Sequence, residues 1–240
     1  MRTILARVLW LTGFADQAQK LAKETLELAS AEGPVPWVYC HTLAAGVCPI
    51  AFWRGDIQDA SRFTQILVDF SRRYAIRKYT EVGLCYQASV DLCSRNPESV
   101  EPRGPELPDT TWLHGLYRDT LTTFCDYWVD QTACDRAANG QSGWASAEIL
   151  RLDALRQWRR DPSSPAVIES CLNASLRIAR DQQALAWELR TTTSIAQLWL
   201  AQGRGEEALA ALLAVYGRFE EGHQTVDLKA ARALIEEISR

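Results

Sequence analysis

The chain is expected to be all-α and built of stacked helical hairpins, and three observations predict it. A Gly-x4-Ala pattern recurs at Gly13 and Ala18, at Gly55 and Ala60, and at Gly203 and Ala208, with Trp10, Trp53 and Trp199 standing just before the glycines. Gly13 and Gly55 lie 42 residues apart, and Trp158 and Trp199 lie 41 apart. The segments around these marks place apolar residues at three- and four-residue steps, and none reads convincingly as a strand. A fixed period of about 40 residues carried by helix-forming sequence is the mark of stacked helical hairpins.

Each part of the pattern has a physical reason. A turn that closes the first helix of a hairpin takes a left-handed backbone conformation, which glycine adopts cheaply. The alanine near the start of the second helix lets the two helices approach closely, and the bulky residue before the glycine fills the space between hairpins. Lengthening a tetratricopeptide hairpin of about 34 residues by roughly two turns gives this period. The expected fold is a tetratricopeptide-like α-α superhelix of five to six hairpins, each depending on its neighbours to bury its apolar face.

In chain order, the expected helices are 2–12, 15–31, 36–53, 56–74, 78–94, 110–128, 130–139, 144–160, 164–181, 184–202, 205–220 and 226–239. The second carries Ala15, Ala18, Leu21, Ala22, Leu26 and Ala29 on one face and Lys20, Lys23, Glu24 and Glu27 on the other. Pro49 falls inside the third, which should therefore kink or split. Ala208, Leu209, Leu212, Leu213, Val215 and Tyr216 line the eleventh, with Gly222 as its stop. Thr225 opens the last, with Asp227 in its first turn and Leu228, Ala231, Leu234, Ile235 and Ile238 along one stripe, and its polar outer face suits a terminal cap. Residues 96–110, with Pro97, Pro102, Pro105 and Pro108, have no periodicity and read as an exposed linker between repeats 1–95 and 111–240.

Composition narrows the function classes. A net charge of −4 gives no general footprint for nucleic acid or an anionic membrane, so direct binding of either is not expected. The basic clusters Arg72-Arg73 with Arg77-Lys78, and Arg156 with Arg159-Arg160, read as solvated helix faces. The longest apolar stretch, Leu43 to Trp53, is interrupted by Gly46 and Pro49 and is too short to cross a bilayer. No signal peptide is visible, so the expected location is the cytoplasm. The seven cysteines include no C-x-x-C pair; Cys48, Cys85, Cys93, Cys125 and Cys171 sit among apolar neighbours and should pack as small reduced core residues. With His41, His114 and His223 far apart, neither a metal nor any other cofactor is expected.

The C-terminal runs AEILRL (Ala147–Leu152), SLRIARDQQALAWELRTTTSIAQLWLAQGR (Ser175–Arg204), EEALAALLAVYGRFEEG (Glu206–Gly222) and DLKAARALIEEI (Asp227–Ile238) resemble one bacterial group. It is the tetratricopeptide-like tail of large signal-transduction ATPases, which include winged-helix transcriptional regulators and proteins with an adenylate-cyclase-like domain. LWLTGFADQA (Leu9–Ala18) and FWRGDIQDA (Phe52–Ala60) extend the resemblance more loosely over residues 3–94. The chain departs from the family pattern in the middle, and His223 stands where that pattern has an aromatic. The nucleotide-binding and output domains that precede such tails are not seen: no G-x-x-x-x-G-K-[ST] loop occurs. The chain therefore reads as a tail without its body, beginning at its first repeat.

The resemblance implies a regulatory module that binds a protein or peptide partner, or a small effector, with no catalytic residues of its own. A stand-alone adaptor bridging two proteins is the alternative. No G-x-S-x-G or H-E-x-x-H motif is present. Trp112, Tyr117, Phe124, Tyr127 and Trp128 form an aromatic-rich segment, and Trp187 and Arg190 lie in the WELR element. These are either packing residues or, for Trp112, Tyr117, Trp128, Trp187 and Arg190, the lining of a ligand groove. Glu188 and Arg190, two apart on a helix, do not face each other, so Arg190 is expected to meet either the turn at Ala186 or a carboxylate on a neighbouring hairpin, in a structural pair that fixes register.

Overall fold

A computed structural model describes residues 1–31, 33, 35–94, 108, 110, 112–113, 115–240. Among them the chain is helical, with no strand. The elements are α1 (Arg2–Leu11), α2 (Ala15–Ser30), α3 (Pro36–Thr42), a π-helical turn (Leu43–Val47), α4 (Cys48–Arg54), α5 (Ile57–Arg73), α6 (Arg77–Ser94) and α7 (Leu116–Thr122). There follow α8 (Gln131–Ala138), α9 (Ser146–Arg160), α10 (Pro165–Asp181), α11 (Leu185–Ala201), α12 (Gly205–Tyr216) and α13 (Val226–Ile238). The expected linker 96–110 lies, but for Pro108 and Thr110, outside the described residues, as does His114. By its contacts the chain forms two compact units, Met1–Val8 with Gln17–Cys125, and Leu9–Asp16 with Asp126–Arg240.

In the first unit α5 and α6 form the most extensive helix pair. Gly83 makes the approach close, since a Cβ there would lie 2.6 Å from Val68 Cγ2. The α3–α4 rod packs on α5. Its π turn is how the helix accommodates Pro49, where a kink or split is expected. Cys48 N–H reaches back five residues to Leu43 O, and Pro49 has no N–H to offer Ala44 or Ala45. Side chains supply the missing donors: Tyr86 Oη donates to Ala44 O at 2.8 Å and Arg7 Nη1 to Ala45 O at 3.4 Å.

In the second unit each helix from α8 to α13 packs on the next, and α9 also meets α11, as α11 meets α13. The small Ala208 and Ala231 and the larger Leu189, Leu212 and Leu228 form one cluster, all nearly inaccessible. Thr225 caps α13, accepting from Leu228 N at 3.4 Å.

Two helices are shorter than expected. In place of one helix over 110–128, α7 ends at Thr122 and a 3-10 turn follows at Asp126–Trp128. The cause is local: the hydroxyls of Thr120, Thr122 and Thr123 donate to Leu116 O, Asp119 O and Thr120 O, and such side-chain bonds compete with helix propagation. The helix expected over 205–220 stops at Tyr216, with Gly217 as its cap, so Gly222 opens the approach to α13 instead.

Gly55 ends α4 at φ +76, and Asp56 caps α5 directly after it. Alanine at 55 carries a Cβ into the left-handed region, at a cost of about 1–2 kcal/mol. We predict that Gly55→Ala lowers the melting temperature by roughly 2–6 °C; an unchanged melting curve would show that the turn relaxes without strain.

Candidate functional site

The helix α11 carries Trp187 and Arg190 three residues apart, on one face, with Glu188 on another. Arg190 Nη1 donates to Glu148 Oε1 on α9 at 2.9 Å, and its Nε donates to Asp227 Oδ2 on α13 at 2.9 Å. Its guanidinium also lies 5.0 Å from the Trp187 ring centre and 5.3 Å from that of Trp10. Arg151 grips the same Glu148 through two bonds of 2.7 and 2.8 Å. Burial pushes the Glu148 carboxyl up, but the two guanidinia outweigh it and hold the group below its ordinary range. Trp187 is fully buried and donates from Nε1 to Trp144 O at 3.0 Å. These residues join α9, α11 and α13. Trp187 presents no surface to an open groove, and Arg190 meets carboxylates on α9 and α13.

One turn away lies an open cleft of about 550 Å³, lined by Arg180, Gln183, Glu188, Ala211, Ala214, Val215 and Arg218. Glu188, in the first turn of α11, is buried at its floor, with a side chain 5% exposed. Arg180 Nε donates to its Oε1 at 2.8 Å and Arg218 Nη1 to its Oε2 at 2.6 Å. Both arginines remain more than half exposed, so two cations stand at the rim above one buried anion. Gln183 holds φ at +55, a conformation that other turns of this chain give to glycine, and it places an amide side chain in the cleft wall. The small side chains of Ala211 and Ala214 leave the space open.

The first unit holds a polar and aromatic cluster around Tyr117. Its hydroxyl lies 3.0 Å from His41 Nδ1 and 3.4 Å from Tyr79 Oη, which is itself 3.3 Å from His41 Nδ1. Burial pushes Tyr117 and Tyr79 up. Burial and then nearby positive charge, Lys78 and Arg7 included, lower His41. Arg7 is buried, bonded to Thr120 Oγ1 at 3.0 Å and set 5.0 Å from the Trp53 ring centre, and burial lowers it to about 10.

The five residues expected to line a groove thus fall into two groups. Trp112, half-buried, and Tyr117, buried, belong to the first unit; Trp128, Trp187 and Arg190 belong to the second. Trp187 and Arg190 are brought together. The turn residues Gly13, Gly55 and Gly203 all have positive φ, and Ala18, Ala60 and Ala208 are inaccessible, while Trp199 is half-buried and donates to Glu169 at 2.7 Å. Sequence reasoning missed Glu148, Arg180, Arg218, His41 and Tyr79, although one signal could have found the first: Glu148 stands 42 residues before Arg190, the Gly13-to-Gly55 interval. Lys78, expected on a solvated face, lies against aromatic rings.

The cysteines need correction. Cys48 and Cys85 are buried as expected, but Cys125 and Cys171 are half-buried and Cys93 is exposed, whereas Cys40 and Cys134 are core residues. Burial pushes the Cys48 thiol up to about 12. Among the described residues no group of His, Cys, Asp and Glu is arranged to hold a metal ion, and no helix is long and apolar enough to cross a membrane. Compared with protein-family models, curated proteins and solved structures, the chain finds no match.

Proposed function

We propose that this chain is a non-catalytic helical-repeat module that senses an effector, comparable to the regulatory tail of a transcriptional-regulator or adenylate-cyclase-type signalling ATPase. The repeat part of this reading is supported by contacts that recur at one period: Glu148 with Arg190 at 42 residues, Trp144 with Trp187 and Arg151 with Ser194 at 43, and Ala44 with Tyr86 at 42. Such contacts are what successive hairpins of a tetratricopeptide-like superhelix make.

The observation that carries the sensing role is the cleft with Arg180 and Arg218 at its rim. Each guanidinium has five N–H donors, and Glu188 takes one from each. A small effector bearing a carboxylate or phosphate fits this charge pattern. Calorimetric titration of the full chain with citrate and with inorganic phosphate at low salt tests it. Arg218→Gln should weaken binding about 10- to 100-fold, the worth of one charged hydrogen bond. Equal heats for wild type and variant remove the cleft from the reading.

The adaptor reading rests on α1, where Ile4, Leu5 and Val8 are 61%, 51% and 46% exposed along one stripe. Such a stripe suits the apolar face of a partner helix. Peptides selected on the full chain should then be amphipathic helices whose capture Leu5→Glu abolishes. Capture that survives this substitution counts against the adaptor.

A further inference from the structure

Lys78 is held by rings. Its Nζ lies 5.6 Å from the centre of the Trp37 ring, 5.9 Å from that of Tyr79 and 5.2 Å from that of Tyr117. Among the described residues it has no carboxylate partner. The rings stand steeply to one another, Trp37 to Tyr79 at 63° and Tyr79 to Tyr117 at 87°, so they form walls rather than a stack. Two walls are fixed: Tyr79 and Tyr117 are buried, and their hydroxyls share His41 Nδ1. The third, Trp37, is 51% exposed and forms the outer side.

We infer that Trp37, Tyr79 and Tyr117 form a binding site for a quaternary ammonium ion, which the chain's own Lys78 occupies as a displaceable placeholder. A primary ammonium brings three N–H donors and a tight hydration shell, and aromatic faces satisfy neither well. A quaternary ammonium has no N–H to leave unpaired, carries its charge on a methyl surface that matches the rings, and is the cation such three-walled boxes suit best. Lys78 is an exposed side chain on a flexible stem, so it can leave without unfolding α6. This inference is independent of the cleft in the second unit.

The test is titration of the full chain with tetramethylammonium chloride, followed by ligand-observed proton NMR against sodium chloride of equal ionic strength. Lys78→Ala and Lys78→Gln remove the competitor and should bind at least about tenfold tighter than wild type, the gain from one cation–π occupancy of about 1–2 kcal/mol. Adding Trp37→Ala to either should abolish that binding; Trp37 is half exposed, and retained melting temperatures will show that the variants fold. Co-sedimentation of the same variants with phosphatidylcholine vesicles separates a lipid headgroup from a free ion as the source of the cation. Binding no tighter in both Lys78 variants, or unchanged without Trp37, overturns the assignment.

Discussion

Ala208→Arg is expected to abolish the cooperative melting of the second unit. Ala208 is inaccessible on α12, within the cluster that joins Leu185 and Leu189 of α11 to Leu228, Ala231 and Leu234 of α13. A methyl group fits there because the helices meet closely. A guanidinium must either enter that contact without a carboxylate or push α12 away from α11 and α13. Either route costs at least about 5 kcal/mol, from the uncompensated buried charge and the apolar area re-exposed. That is comparable with the whole stability of an ordinary domain. Ala208→Leu, which adds volume without charge, should cost about 1–3 kcal/mol and melt cooperatively at lower temperature. Circular dichroism melts of the two variants separate charge from bulk, and an arginine variant melting within a degree or two of wild type removes Ala208 from the interface.

What the sequence makes legible follows from what is local. Gly13, Gly55 and Gly203 can be read as hairpin turns because a left-handed φ is a demand on one residue. Ala18, Ala60 and Ala208 follow because close approach is a demand on size. The stretch around residues 110–128 is not legible in the same way. Its aromatic and apolar residues suggest one long helix, yet Thr120, Thr122 and Thr123 turn their hydroxyls onto local carbonyls and end it. Periodicity counts apolar positions and gives no weight to that competition.

The sites were less legible than the fold, for a related reason. Arg180, Glu188 and Arg218 meet because the ends of α10 and α12 flank the start of α11, and no spacing rule within one helix expresses that. Tyr117 was visible as an aromatic, but its partners His41 and Tyr79 come from α3 and α6, 76 and 38 residues away. The 42-residue Gly13-to-Gly55 interval does carry some of this information. Subtracting it from Arg190 gives Glu148, and from Trp187 nearly gives Trp144, so these two contacts of α11 can be read once that interval is noticed.

Glu148→Gln tests that register directly. The side chain of Glu148 is 1% exposed and those of Arg151 and Arg190 are each 12% exposed, so the substitution leaves two nearly buried cations with one shared anion fewer. Asp227 still holds Arg190 Nε and attracts Arg151 at longer range, and Arg151 keeps its hydrogen bond to Ser194, at 3.2 Å. Removing one partner of a buried pair costs about 3–5 kcal/mol, and the glutamine amide can recover part of it by accepting one bond. The expected loss at neutral pH is therefore about 3 kcal/mol, read from urea unfolding. Acid should weaken the contribution of this carboxylate. Because the folded chain holds Glu148 below its unfolded value of 4.5, its contribution is complete above that pH and is lost as pH falls through the folded value. The gap between wild type and Glu148→Gln should accordingly be widest above pH 5 and close progressively in stronger acid. A gap that stays constant with pH would assign the loss to shape rather than charge. No gap at pH 7 would mean that Arg151 and Arg190 find other partners and that Glu148 does not set the register of α9 against α11.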